Sequence, residues 1–140
     1  IGPDMVRRTM LPRYSRVIEH LRGKGVEWFS LDSDGEISSL IPVWLDAGIN
    51  ILYPFESQCG MDVVQVRKKY GRDLRLWFGI DKRAVATGPK AIDAELRRVQ
   101  PLVEEGGYIP GPDHSFPPDV PYAHFRYYME RLWDLANGRL

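Results

Sequence analysis

Ionisable side chains follow four short apolar runs of the sequence, each of them placed where a strand would end. In chain order these groups are Asp32 and Asp34, then Glu56, then Asp81 with Lys82 and Arg83, then Asp113 and His114. Carboxylates and imidazoles are the usual metal ligands and proton carriers of enzymes. The spacing therefore predicts metal binding or acid–base chemistry at the strand ends.

The elements that must position these groups follow from the apolar patterning. Strands are predicted at 26–31, 49–55, 74–80 and 108–112. Helices are predicted at 2–25, 36–48, 61–71, 88–107 and 120–138. Strands that alternate with helices of this length predict a parallel sheet in a single α/β domain that spans 1–140. In the first helix, Asp4 is the expected N-cap and Pro12 predicts a bend.

In a parallel α/β fold the loops at the carboxyl ends of neighbouring strands meet on one rim. The four acidic loops would then lie together, and carboxylates so placed repel one another unless a cation compensates them. A metal, a cationic ligand, or Lys82 and Arg83 could supply that charge. Each group also has a simpler interpretation, because Asp32 or Asp34 could cap the next helix and residues 81–83 could be a solvated charge run.

The composition of the chain argues against nucleic-acid binding, membrane association and an internal disulfide. The chain has 140 residues and a formal net charge of zero, with no basic surface or motif for nucleic acid. Its apolar runs are too short to cross a bilayer, so no membrane association is expected. One cysteine excludes an internal disulfide, and a cytoplasmic location is the simplest expectation.

Four segments together resemble the uroporphyrinogen decarboxylase superfamily. They are "DSDGEISSLIPVWLDAGINILYPFE", "GMDVVQVRKKYG", "WFGIDKR" and "GGYIPGPDHSFPPDVPY". The resemblance runs over nearly the whole chain and implies a TIM-type (β/α)8 barrel with its active site at the carboxyl rim. It implies that this chain is the C-terminal half of such a barrel, with one leading helix followed by four parallel βα units.

The segments look most like the methyltransferase-like branch of that superfamily, whose members use a cobalamin or corrinoid carried by a partner protein. In its zinc enzymes a metal-binding pair falls here on Asp32 and Asp34, and a later ligand falls on His114. With Glu56 these residues form the expected metal set. Carboxylates in place of softer ligands favour a harder divalent ion than zinc, or no metal.

The alternative is a decarboxylase of tetrapyrroles, a carboxy-lyase that needs no cofactor, in which the family's late histidine falls on His114. The expected catalytic residues are His114 and Asp81, and the expected substrate-binding residues are Lys82, Arg83 and Asp113. A third hypothesis is a half-barrel that only assembles and has no activity.

Four strands covered on one side do not close a barrel, which predicts a partner. The inner face and two strand edges would stay exposed, and apolar patches of that size are seldom left bare. We therefore expect the chain to pair with itself as a dimer or with a first-half barrel segment. A small-molecule substrate would bind at the completed rim.

Overall fold

The computed structural model describes all 140 residues, 1–140, and its centre is a four-stranded parallel sheet. The strands are β1 (Ser30–Asp32), β2 (Ile51–Tyr53), β3 (Arg75–Trp77) and β4 (Tyr108–Ile109). They lie in sequence order, and every neighbouring pair is parallel. The predicted α/β class and the four neighbouring strands are confirmed.

Seven helices and one short 3-10 turn at Ser57–Cys59 complete the fold. The helices are α1 (Pro3–Thr9), α2 (Leu11–Arg22), α3 (Ile41–Ala47), α4 (Val63–Tyr70), α5 (Lys82–Thr87), α6 (Pro89–Glu105) and α7 (Tyr122–Ala136). A leading helical pair stands where a single helix is predicted, and four strand–helix units follow it, in the predicted order. None of these helices combines the length and the apolar character needed to span a membrane.

Three helix boundaries differ from the prediction. The first helix begins two residues earlier than an Asp4 cap would allow, because Gly2 is its N-cap and Pro3 its first residue. It ends at Thr9, and a second helix starts at Leu11, so the bend expected near Pro12 is an interruption of one residue at Met10. The helix predicted from residue 36 begins at Ile41.

Local side-chain hydrogen bonds explain the late start of α3 and the presence of an additional helix, α5. Glu36 accepts a hydrogen bond from the Ser38 backbone N–H at 2.9 Å, which favours a turn over a helix start. Helix α5 was not predicted, and it forms because the Asp81 side chain caps it by accepting from the Arg83 backbone N–H at 2.9 Å.

One face of the sheet is packed under the helices. Leu52 and Leu76 are fully buried, and their register places them beside Leu31 and Tyr108 in a continuous row across the four strands. Side chains alternate between the two faces of a strand, so this row faces the helical layer. The main core of the molecule lies between that row and the helices.

The opposite face of the sheet has no helical cover. It carries Trp28, Ile51, Arg75, Trp77 and Ile109, which line an open depression of about 480 Å³. Trp28 is 51% exposed and Ile109 is 50% exposed. The Arg75 guanidinium stacks on the Trp28 ring at 3.7 Å from its centroid. We call this surface the open face.

A buried arginine holds the amino-terminal ends of β3 and β4. Arg67 on α4 is 5% exposed and donates to the carbonyl oxygens of Gly71 (2.8 Å), Gly106 (3.1 Å) and Gly107 (2.7 Å). Burial lowers the pKa of its guanidinium, which remains charged because its ordinary pKa is so high. Arg67 therefore joins two loops that are distant in sequence.

Replacing Arg67 by Met should lower the free energy of unfolding by about 3 kcal/mol, because several buried carbonyls lose their donor while the apolar volume is kept. Urea denaturation followed by circular dichroism measures this change. The matched control is Lys68→Met, since Lys68 is an exposed cation on the same helix. Equal losses for the two variants would contradict the role assigned to Arg67.

Candidate functional site at the carboxyl rim

A cleft of about 370 Å³ opens at the carboxyl ends of the strands. Its walls are Asp32, Asp34, Tyr53, Pro54, Phe78, Pro112, His114, Ser115 and Phe116. These residues come from the ends of β1 and β2 and from the loops after β1 to β4, so the parallel sheet brings all four strand ends to one site. Three of the residues predicted for metal binding, Asp32, Asp34 and His114, lie in this cleft.

Asp32 and Asp34 are exposed, and neither carboxylate has a hydrogen-bond or ion-pair partner inside the chain. Asp32 is the last residue of β1, and the ladder continues past it because the Ser33 N–H donates to the Tyr53 carbonyl at 2.8 Å. Neither aspartate caps a helix, since α3 starts at Ile41 with no side-chain cap. The helix-cap interpretation of these two residues is wrong.

Glu56 lies outside the cleft lining and contacts the turn that follows Asp34. It is 8% exposed, and its Oε2 accepts from the Gly35 N–H at 2.7 Å. Gly35 has φ +82°, a conformation that favours glycine, so this contact fixes the tight turn behind Asp34.

Burial and the nearby Glu56 also raise the pKa of the Cys59 thiol, which disfavours a thiolate there.

The four residues predicted to bind a metal are therefore separated. Asp32, Asp34 and His114 line the cleft, whereas Glu56 lies outside its lining. No group of three or more His, Cys, Asp and Glu side chains in the structure is arranged to hold a metal ion. A three-ligand zinc centre does not fit the side chains in this arrangement. The metal assignment stays a prediction.

Asp113 braces the rim from the inside. It is fully buried, its Oδ2 accepts from the Ser57 N–H at 2.9 Å, and its Oδ1 accepts from the Lys82 N–H at 3.2 Å. The Lys82 Nζ lies 4.0 Å from Oδ1. One carboxylate thus joins the loops that follow β2, β3 and β4. With no exposed oxygen, Asp113 positions the loops and does not reach a substrate in the way that was predicted.

Asp81 and Arg83 bind each other at the start of α5. The Arg83 guanidinium contacts the Asp81 carboxylate at 2.6 Å, and its hydrogen bonds lower the pKa of Asp81 below the ordinary range. Neither residue lines the cleft, and Lys82 is turned toward Asp113. The structure therefore does not bring the predicted catalytic pair of His114 and Asp81 into one cavity.

A charged cluster on α6 supports the loops that follow β2 and β3. Arg98 binds Asp62 and Glu95, each at 2.8 Å, and donates to the Gly79 carbonyl at 2.9 Å. Glu95 in turn accepts from the Asp81 N–H at 3.1 Å. Sequence reasoning missed this cluster because Asp62 lies 36 residues from Arg98 in the chain, although Asp62 in front of α4 is a recognisable N-cap.

Aromatic rings form the apolar wall of the cleft. Tyr53 and Phe78 meet edge to face at 5.8 Å between ring centroids. Phe78 has φ +71°, a strained conformation for a bulky residue, and its N–H donates to the Ile109 carbonyl at 2.8 Å. A Cβ at Gly111 would lie 2.5 Å from Phe78 Cδ1. The position of the Phe78 ring therefore depends on glycine at position 111.

No protein-family model matches the chain, and no curated protein matches it. The function is therefore inferred from the geometry of the cleft and from the resemblance of the motifs.

Gly111→Ala should displace the Phe78 ring and lower the free energy of unfolding by about 1–3 kcal/mol, because the added methyl overpacks the contact. The loss should nearly disappear in a Phe78→Ala background, where the clashing ring is absent. Chemical denaturation of the four proteins in this double-mutant cycle measures the coupling. Gly23→Ala is the control, because its added Cβ would lie no closer than 3.4 Å to any atom beyond its own and the adjacent residues. Additive effects would refute the proposed dependence of Phe78 on Gly111.

Proposed function

We propose that this chain is the C-terminal half of a TIM-type barrel in the uroporphyrinogen decarboxylase superfamily, and that it belongs to the methyltransferase-like branch. The parallel four-strand sheet with a cleft at its carboxyl rim supports the architectural part of the proposal. The motifs around the cleft support the family. The activity would be methyl transfer between a small methylated molecule and a corrinoid on a partner protein.

The observation that carries this proposal is the charge of the cleft. Asp32 and Asp34 have no partner inside the chain, whereas Lys82 and Arg83 are engaged with Asp113 and Asp81. A tetrapyrrole that carries several carboxylates would meet negative charge in the cleft and find both predicted cations occupied. This arrangement favours methyl transfer over the decarboxylase alternative.

The same charge selects among methylated substrates. Methylated thiols and methanol-derived groups are uncharged, whereas a methylated amine is a cation at neutral pH. Two unpaired carboxylates attract such a cation, and the faces of Tyr53, Phe78 and Phe116 can add cation–π contact. We therefore assign Asp32 and Asp34 to binding the ammonium group, and His114 to proton transfer beside it.

Tetramethylammonium is a suitable probe for the cleft, and its binding can be followed by isothermal titration calorimetry. Binding should weaken by about tenfold or more in an Asp32→Asn/Asp34→Asn double variant, because at least 1.4 kcal/mol of charge attraction is lost. tert-Butanol, which is similar in size but uncharged, should bind equally weakly to both proteins.

Asp73→Asn is the matched control, since Asp73 is an exposed aspartate outside the cleft lining. Its affinity for tetramethylammonium should equal that of the unchanged protein. Equal affinity in the Asp32→Asn/Asp34→Asn variant would reject the substrate assignment. Binding of a porphyrinogen that survives the same substitutions would favour the decarboxylase alternative.

A further inference from the structure

The turn that places Asp34 in the rim cleft contains a chemically labile pair of residues. Asp34 is followed by Gly35, and the Asp34 carboxylate is exposed with no partner inside the chain. In an Asp–Gly pair the glycine nitrogen can attack the aspartate side chain, because glycine has no Cβ to hinder the approach. The sequence contains no other Asp–Gly pair, so a reaction of this kind is confined to position 34.

The reaction rearranges the main chain. In the carboxylic acid form of Asp34, the Gly35 nitrogen forms a bond to Cγ, and the N–H hydrogen and the carboxyl hydroxyl leave as water. Water then opens the succinimide at either carbonyl, which gives aspartate or isoaspartate with no net change in mass. In isoaspartate the main chain passes through Cβ and Cγ, and the free carboxylate is attached directly to Cα. The carboxylate that lines the cleft would therefore be displaced.

The backbone of the turn explains why glycine follows Asp34. Gly35 has φ +82°, in the left-handed region where a residue with a Cβ is strained. A Cβ at this position would meet no atom within 4 Å, so the requirement for glycine is conformational and does not come from lack of space. A bulkier residue would slow the attack but would strain the turn, so the turn retains the labile pair.

Glu56 holds the attacking atom of this reaction. The Gly35 N–H donates to Glu56 Oε2 at 2.7 Å, and Glu56 is 8% exposed. The Gln58 side chain donates to Oε1 at 3.3 Å, which helps to fix the carboxylate. A hydrogen bond to a charged group is worth about 1.5–3 kcal/mol, which lowers the population of the free N–H about tenfold or more. The nitrogen must leave this hydrogen bond before it can reach Asp34 Cγ.

We propose that the Asp34–Gly35 pair is a site of isoaspartate formation and that Glu56 suppresses the reaction by holding the Gly35 N–H. The inference is independent of what the cleft binds and of what covers the sheet, because the contact joins positions 35 and 56 of one chain. Glu56 does not line the cleft, yet it preserves the chemical integrity of a carboxylate that does.

The rate of isoaspartate formation at position 34 tests the proposal. It is measured during prolonged incubation at neutral pH by mass spectrometry with electron-transfer fragmentation, which distinguishes isoaspartate from aspartate. Glu56→Met removes the acceptor but keeps the length of the side chain, and it should react about tenfold faster than the unchanged chain. Glu56→Gln keeps a neutral acceptor, so its rate should lie between those two. The chain unfolded in urea gives the rate of the unprotected pair.

Arg67→Met is the control for global unfolding, because it removes buried hydrogen bonds at Gly106 and Gly107 and leaves the contact at Gly35 unchanged. Its rate should equal that of the unchanged chain, and circular dichroism establishes which variants are folded. An equal rise in Arg67→Met and Glu56→Met would assign the reaction to unfolded molecules and would overturn the proposal.

Three further outcomes would also overturn it. A folded, unchanged chain that reacts as fast as the chain in urea would show that the pair is not protected. An unchanged rate in Glu56→Met would show that the hydrogen bond is irrelevant, and a lower rate would show that Glu56 promotes the attack as a base. Where Glu56→Met does not fold, Glu56→Gln decides the question, and a rate no higher than that of the unchanged chain contradicts the proposal.

Discussion

The rim of this molecule depends on the buried carboxylate of Asp113. It accepts hydrogen bonds from the backbone at Ser57 and Lys82 and lies beside the Lys82 ammonium group. Three loops that follow three different strands are tied to this one side chain. Because the carboxylate has no contact with solvent, loss of any one donor would leave buried charge uncompensated. The three loops are therefore expected to be ordered together.

This brace explains how charge is divided at the rim. Lys82 and Arg83 could have neutralised the cleft, but they are paired with Asp113 and Asp81. The Glu56 carboxylate accepts a hydrogen bond from the turn at Gly35. What remains in the cleft is Asp32, Asp34 and His114 with no partner, beside aromatic rings. Carboxylates without a partner beside aromatic rings can bind a cationic ligand. The proposed ammonium group would pair with the two carboxylates and contact the aromatic rings beside them.

The architecture was accessible from sequence because its signals are local and repeated. Apolar runs followed by polar residues gave the four strands, and amphipathic patterns gave most helices. The start of α3 was missed because Glu36 makes a local turn with Ser38, and α5 was missed because its cap, Asp81, belongs to a segment that also fits a charged loop.

The site was only partly accessible for a different reason. Strand-end position correctly predicts that Asp32, Asp34 and His114 share a rim, since parallel strands bring their carboxyl ends together. The position of a residue at a strand end does not show whether its carboxylate points into the cleft or holds the surrounding loops together. That difference depends on contacts between segments that are distant in the chain. Asp113 with Ser57 and Arg67 with Gly106 and Gly107 are such contacts. Their residue types alone fit a surface role equally well.

Amide hydrogen exchange of an Asp113→Asn variant tests the central claim most directly. The substitution keeps the size of the side chain but removes its charge and one acceptor. We expect the Ser57 and Lys82 amides to exchange about tenfold faster or more, since a hydrogen bond to a charged group is worth about 1.5–3 kcal/mol. The Leu76 amide, bonded to the Gly107 carbonyl in the sheet, should keep its rate. Unchanged exchange at Ser57 and Lys82 would contradict the account, because the rim would then be held by something other than Asp113.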